Sequence, residues 1–224
     1  MKKGVILDVD GTLWDAVHVI MDSWNAYRKM AVPEMPGAFC YEEISGILGK
    51  TMTEIGDICF APLDPERRRA VMEEIMEYEV LYLREHPGKV YPGVKETLER
   101  LNDLGYSITI VSNCQKGYIE DFLLASETER LIEDHVCFGD TLQKKSFSIR
   151  LCAERNHLDQ AVYVGDTAGD LISAREAGCG FVYARYGFGS VDPEKEGVPA
   201  VDSFTELPEV LECEDLWKVR GTCS

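Results

Sequence analysis

Two aspartates one residue apart, Asp8 and Asp10, stand directly after the apolar run Gly4, Val5, Ile6, Leu7 and are followed by Gly11 and Thr12. Such a run suits a buried parallel strand and is far too short to span a membrane. The first carboxylate therefore emerges where a strand ends. Gly11 permits a sharp turn there, and Thr12 offers a hydroxyl to nearby peptide groups. Two acids about 4 Å apart repel by roughly 4 kcal/mol at an effective dielectric of about 20. A cation or a shared proton relieves that repulsion.

Further along the chain other residues fit the same chemistry. Ser112 and Asn113 follow Ile108, Thr109, Ile110 and Val111, where a hydroxyl and neighbouring amides can donate to a phosphate oxygen. Ser112 also suits the cap of the helical run through Tyr118, Ile119 and Phe122. Lys144 and Lys145 precede Ile149, Cys152 and Ala153, and either ammonium would neutralise an anion. Asp166 and Asp170 flank Thr167 and Gly169 after Tyr163 and Val164. Carboxylate oxygens of this kind suit Mg²⁺, which accepts one or two of them beside a substrate phosphate.

The elements that must position these groups are legible in the periodicity. Residues 14 to about 30 read as an amphipathic helix with Val17, Ile20, Met21 and Trp24 on one face, ended by Pro33 and Pro36. A short helix over 41–48 stops at Gly49, another begins near Thr53, and Pro65 opens a long one running to His86. On that helix Val71, Ile75, Tyr78 and Tyr82 share a stripe, and Pro87 and Gly88 break it. After Tyr91, Pro92 and Gly93 the pattern changes. Strands at 108–111, 136–138, 161–164 and 181–183 alternate with helices, which implies right-handed crossovers and a parallel sheet covered on both faces. The expected fold is α/β, a Rossmann-like parallel sheet core over 1–14 and 89–224 with an all-helical cap domain, 15–88, inserted into it. In such sheets ligands bind beyond the carboxyl ends of the strands, where the strand order reverses.

In that setting the string Asp8, Val9, Asp10, Gly11, Thr12, Leu13 resembles the first motif of the haloacid dehalogenase-like superfamily. Ser112 resembles the second motif and a lysine at 144 or 145 the third. Lys145 fits better by its spacing to Ile149, although Ser146 replaces the usual proline. The loop from Asp166 to Asp170 resembles the fourth motif. Tyr91, Pro92 and Gly93 resemble the return from a helical cap, and Tyr186, Gly187, Phe188 and Gly189 the late loop of phosphoglycolate phosphatase-like members. The resemblance covers nearly the whole chain.

It implies a phosphatase in which Asp8 is the nucleophile, forming an aspartyl-phosphate, and Asp10 the general acid and base. Lys145, Ser112 and Asn113 would bind the phosphate. Mg²⁺ would be held by Asp8, the Asp10 backbone carbonyl and Asp166, with Asp170 acting through water. The substrate would be a small phosphorylated metabolite, chosen by cap residues such as Gly49 and Lys50. A dehalogenase would need neither the metal nor Asp10. A β-phosphoglucomutase-like phosphotransferase shares every motif, and a phosphonoacetaldehyde hydrolase-like enzyme would use a cap lysine such as Lys50. A non-catalytic binding module fits least, since a scaffold needs no such intact set.

Composition sets the outer bounds. The 224 residues, 45% of them apolar, supply a sizeable core. The net charge of -17 argues against nucleic acid or an anionic membrane as partner. Arg67, Arg68 and Arg69, among Glu66, Glu73 and Glu74, read as a solvated helix face. Eight cysteines in no CxxC pair, after an amino terminus without a secretory pattern, predict free thiols and a cytoplasmic setting. Oligomeric state is left open, as is whether the tail with Leu216 and Trp217 packs on the core or meets a partner.

Overall fold

A computed structural model of the chain describes residues 1–218. Its centre is a six-stranded parallel sheet. In chain order the strands are β1 (Lys3–Leu7), β4 (Ser107–Ser112), β5 (Asp134–Cys137), β6 (Gln160–Gly165), β7 (Gly180–Ala184) and β8 (Ala200–Val201). Between β1 and β4 in the chain, β2 (Trp14–Asp15) and β3 (Lys89–Val90) form a separate antiparallel ribbon. The sheet order is β5-β4-β1-β6-β7-β8. The chain thus builds outward from β1 on one side and then returns to build on the other. That reversal opens a cleft at the carboxyl end of β1, between β4 and β6.

Both faces of the sheet are buried, which is why its strands are almost wholly apolar. Val5, Leu7, Ile108, Ile110, Val162, Val164 and Val182 form part of one core. Ile6, Val111, Val136, Tyr163 and Phe181 form part of the other. Alternation along β1 therefore decides where Asp8 points: its amide continues the ladder by donating to the Val164 carbonyl at 2.9 Å, and its side chain shares the face of Ile6.

The inserted segment is helical, as the periodicity predicts. It comprises α1 (Val17–Ala31), α2 (Tyr41–Ser45), α3 (Met52–Cys59) and α4 (Pro65–Glu85). The core then adds α5 (Val94–Asp103), α6 (Tyr118–Ser126), α7 (Phe138–Thr141), α8 (Lys145–Arg155) and α9 (Ala168–Ala177). Trp14 corrects the expectation of a helix from that residue. It pairs with Val90, and Asp15 with Lys89, so the two chain crossings between core and cap form a short ribbon. Trp14 is fully buried and packs edge-on against Tyr118 and Phe122, a packing demand that overrides helical spacing.

Other expectations shift by a few residues for identifiable reasons. Phe138 opens α7 and does not continue β5, because Cys137 and Asp140 form a capping box there. Arg67 and Arg68 are not a solvated face. Arg67 bonds Glu34 and the Ala31 carbonyl, and Arg68 bonds Asp57 and three loop carbonyls, so both hold the cap together. The tail packs on the core: Trp217 stacks on Tyr106 at 5.4 Å and donates its indole N–H to the Leu211 carbonyl at 2.9 Å. Seven cysteines are free among the described residues, and Cys223 lies outside them. Among the described residues no helix is long and apolar enough to cross a membrane.

Candidate active site

Three core segments converge at the carboxyl end of the sheet. The face that receives the Asp8 side chain is covered by α8 and α9, and each contributes a charged group at its first turn. Lys145 opens α8 and sends its Nζ to Asp8 Oδ2 at 3.0 Å and to Asp170 Oδ1 at 2.6 Å. This chooses between the two lysines: Lys145 is 4% exposed, whereas Lys144 caps the helix and faces solvent. The other oxygen of Asp170 accepts from the Thr167 amide and hydroxyl in a capping box, so local sequence fixes its aim. Asp170 holds Lys145 directly, a partnership the spacing alone does not reveal.

Asp166 is held from the far side by a loop distant in sequence. The amides of Phe188 and Gly189 donate to its Oδ2 at 2.7 and 3.2 Å, and Tyr186 anchors that loop by donating to the Thr12 carbonyl. Close approach demands small residues. Gly11 has φ +75°, and a Cβ there would lie 2.2 Å from Asp166 Oδ2. A Cβ on Gly189 would lie 2.1 Å from the Asp166 carbonyl oxygen.

One oxygen each of Asp8, Asp166 and Asp170 lies within 4.8 Å of the others. Three carboxylates against one ammonium leave negative charge in excess. Burial pushes the Asp8 carboxyl up to about 6 despite the pull of Lys145. It pushes Asp166 up to about 8, helped by the charges on Asp170 and Asp8. Burial alone would lower the Lys145 ammonium, but Asp170 and Asp8 outweigh it and hold it well above the ordinary lysine range. The free oxygens, Asp8 Oδ1 and Asp166 Oδ1, are buried without a hydrogen-bond partner. Hard, unpartnered oxygens in a site with surplus negative charge fit a divalent cation such as Mg²⁺.

Asp10 leaves the turn toward the cap. Its Oδ1 accepts from the Tyr118 hydroxyl at 2.6 Å and from the Trp14 indole at 3.2 Å. Burial pushes this carboxyl up to about 7 against the Tyr118 hydrogen bond, with the Asp8 charge adding to the rise. Sequence reading missed Trp14 and Tyr118 as its partners. The available signal was an aromatic with a polar tip inside each apolar run, since such tips need partners when buried.

Ser112 ends β4 and lines the cavity shared by Asp8 and Asp10. It does not cap α6, which starts six residues later behind Gly117. Asn113 turns its Nδ2 toward the cap and donates to the Gly49 carbonyl at 2.8 Å. Gly49 and Lys50 line the same cavity, Lys50 at its exposed edge. The cap also touches the core where Gln115 donates to Glu79 at 2.7 Å and where Arg84 pairs with Asp121 at 2.8 Å.

The sequence model for haloacid dehalogenase-like hydrolases matches residues 5–184. The chain belongs to this family. Among similar hydrolases, the phosphoglycolate phosphatase of Vibrio parahaemolyticus is 26% identical over 225 residues, covering 93% of this chain and 96% of that protein. That of Aliivibrio fischeri is 32% identical over 129 residues, so the alignment spans only 54% of this chain and 56% of its relative. A predicted phosphoglycolate phosphatase from Haemophilus somnus superposes with a TM-score of 0.77 at 21% identity, over 94% of this chain and 98% of its own. CbbY from Rhodobacter sphaeroides, solved in complex with phosphate, gives 0.79 at 17% identity, over 95% and 100%. At those identities the structural likeness establishes the fold alone, and it is that of haloacid dehalogenase-like hydrolases.

Proposed function

We propose that this hydrolase is a Mg²⁺-dependent phosphatase of small phosphate monoesters, phosphoglycolate phosphatase-like, working through an aspartyl-phosphate on Asp8. The observation that carries the reading is the asymmetry of Asp8. One oxygen is held by Lys145, while the other is buried and unpartnered, and the carboxyl stands in a cluster with Asp166 and Asp170. A carboxylate so held is aimed for in-line attack on phosphorus.

In this scheme one Asp8 carboxylate oxygen forms the new bond to phosphorus as the bond to the ester oxygen breaks, and Asp10 gives its proton to the departing alkoxide. A water then attacks the aspartyl-phosphate, Asp10 takes its proton, and inorganic phosphate leaves with Asp8 restored. Lys145 offsets charge on the transferring group while Ser112 and Asn113 supply donors to its oxygens. For Asn113 this requires exchanging the Gly49 carbonyl for phosphate. Asp8, Asp166 and the Asp10 backbone carbonyl would hold the metal, with Asp170 positioning Lys145 beside them. Bound there, Mg²⁺ supplies electrophilic stabilisation of the phosphoryl oxygens. The cap excludes bulk water from these steps.

Asp8→Asn should abolish turnover of para-nitrophenyl phosphate, a loss on the order of 10³-fold or more for a missing nucleophile. The circular dichroism spectrum should stay unchanged. Substantial Mg²⁺-dependent turnover by that variant would refute the assignment.

A further inference from the structure

Glu79 sits on α4 within the buried stripe of Val71, Met72, Ile75 and Leu83, and is itself 4% exposed. Its partners there are neutral: Gln115 Nε2 donates to one oxygen at 2.7 Å, and the Trp24 indole N–H donates to the other. Burying an acid among apolar side chains is costly, and two neutral donors recover only part of that cost. A residue kept under those conditions invites a functional account.

Its position supplies one. Glu79 lines the same cavity as Asp8 and Asp10, on a wall otherwise made by Ile20, Trp24, Ile47 and Ile55. The cavity between cap and core is small, about 30 Å³. A substrate therefore enters only as the cap yields, and its leaving group then comes to rest against this wall. Two carboxylate oxygens offer about four lone-pair directions, so Glu79 retains capacity to accept from a substrate donor. Among the described residues Lys50 is the only cation lining the cavity, at its exposed edge. Lys145 is committed to Asp8 and Asp170. A leaving group with its own negative charge would thus face Glu79 and Asp10 with no interior cation to receive it.

We propose that Glu79 is a specificity-determining residue, selecting phosphate monoesters whose leaving group is uncharged or cationic and carries a hydroxyl or ammonium donor at its far end. The inference rests on the phosphatase reading above. Its consequence is that 2-phosphoglycolate, which ends in a carboxylate, is disfavoured here even though relatives carry its name.

The test uses three esters that differ only at that end: 2-hydroxyethyl phosphate, O-phosphoethanolamine and 2-phosphoglycolate. Each is assayed with Mg²⁺ at pH 8, above the value of about 7 to which burial lifts Glu79. In the unmodified protein, kcat/KM for the better of the first two should exceed that for 2-phosphoglycolate at least tenfold. Glu79→Gln should shrink this ratio at least tenfold, and the charge-keeping Glu79→Asp should preserve its direction. A preference of the unmodified protein for 2-phosphoglycolate would overturn the proposal. So would a Glu79→Gln variant that slows all three esters by one common factor, as loss of the Trp24 and Gln115 contacts alone would do. Failure of the unmodified protein on para-nitrophenyl phosphate as well would instead remove the phosphatase reading itself.

Discussion

Asp10 is the residue in which burial and chemistry meet most directly. Burial lifts its carboxyl to about 7, so near neutral pH it can both give and take a proton. The Tyr118 hydroxyl opposes that rise and also fixes the side chain's direction. Asp10→Asn should lower kcat by about 10² to 10⁴-fold for alkyl phosphates, the range for a lost general acid and base. The loss should be smaller for the first step with para-nitrophenyl phosphate, because nitrophenolate departs without a proton. Pre-steady-state measurement of both esters decides the matter; equal losses would mean that Asp10 does not protonate the leaving group. At this scale the sequence exposes Asp8, Asp10 and Asp166 because each follows a strand end. It does not show what Trp14, Tyr118 or Glu79 will meet, because Trp14 turns onto Asp10 from β2 while Tyr118 and Glu79 reach the site from α6 and α4, far along the chain.

Among the elements, α4 carries the most consequence for the site, since it brings Glu79 over the cleft and ties Arg84 to Asp121 on α6. Its start is encoded locally. Asp64 accepts from the Glu66 and Arg67 amides, and Pro65 occupies the first helical position. Asp64→Ala should cost about 1 kcal/mol, the usual worth of such a cap. Urea unfolding would read this as a lower midpoint with an unchanged slope. No change in midpoint would mean that tertiary packing alone sets this end of the helix. The predicted helix over 41–48 shows the opposite case: α2 stops at Ser45, and turns carry the chain to Gly49, whose carbonyl meets Asn113. Contact with the core, outside the local pattern, selects that shape.

For the whole molecule, the dominant electrostatic fact is crowded negative charge in a protein already at -17. Asp8, Asp10, Glu79 and Asp166 all have folded-state values raised above ordinary carboxylates, chiefly by burial. Over roughly pH 5 to 8 these four groups therefore bind more protons in the folded chain than in the unfolded one, and their contribution to stability without metal falls as pH rises. Mg²⁺ needs the ionised forms, so its benefit should grow along the same interval. At 100 times its Kd a ligand adds about 2.7 kcal/mol, roughly 5 to 11 °C in Tm for a domain of this size. Thermal melts with and without Mg²⁺ should show a gain near that figure at pH 8 and a smaller one at pH 5.5. An equal gain at both pH values would contradict a site built from these acids.

The amino-acid sequence by itself determined the alternation of strands and helices, the helical insertion, and the strand ends at which the acids emerge. These follow from hydrophobic period, Pro and Gly punctuation and turn chemistry, all of which act between near neighbours. Only the tertiary structure decided that Lys145 and not Lys144 reaches Asp8, that Asp170 holds it, that the loop at Phe188 aims Asp166, and that Glu79 overlooks the cleft. Which side chains share a pocket depends on sheet order and helix rotation. Those are settled by how all the apolar faces pack at once, and no local pattern contains them.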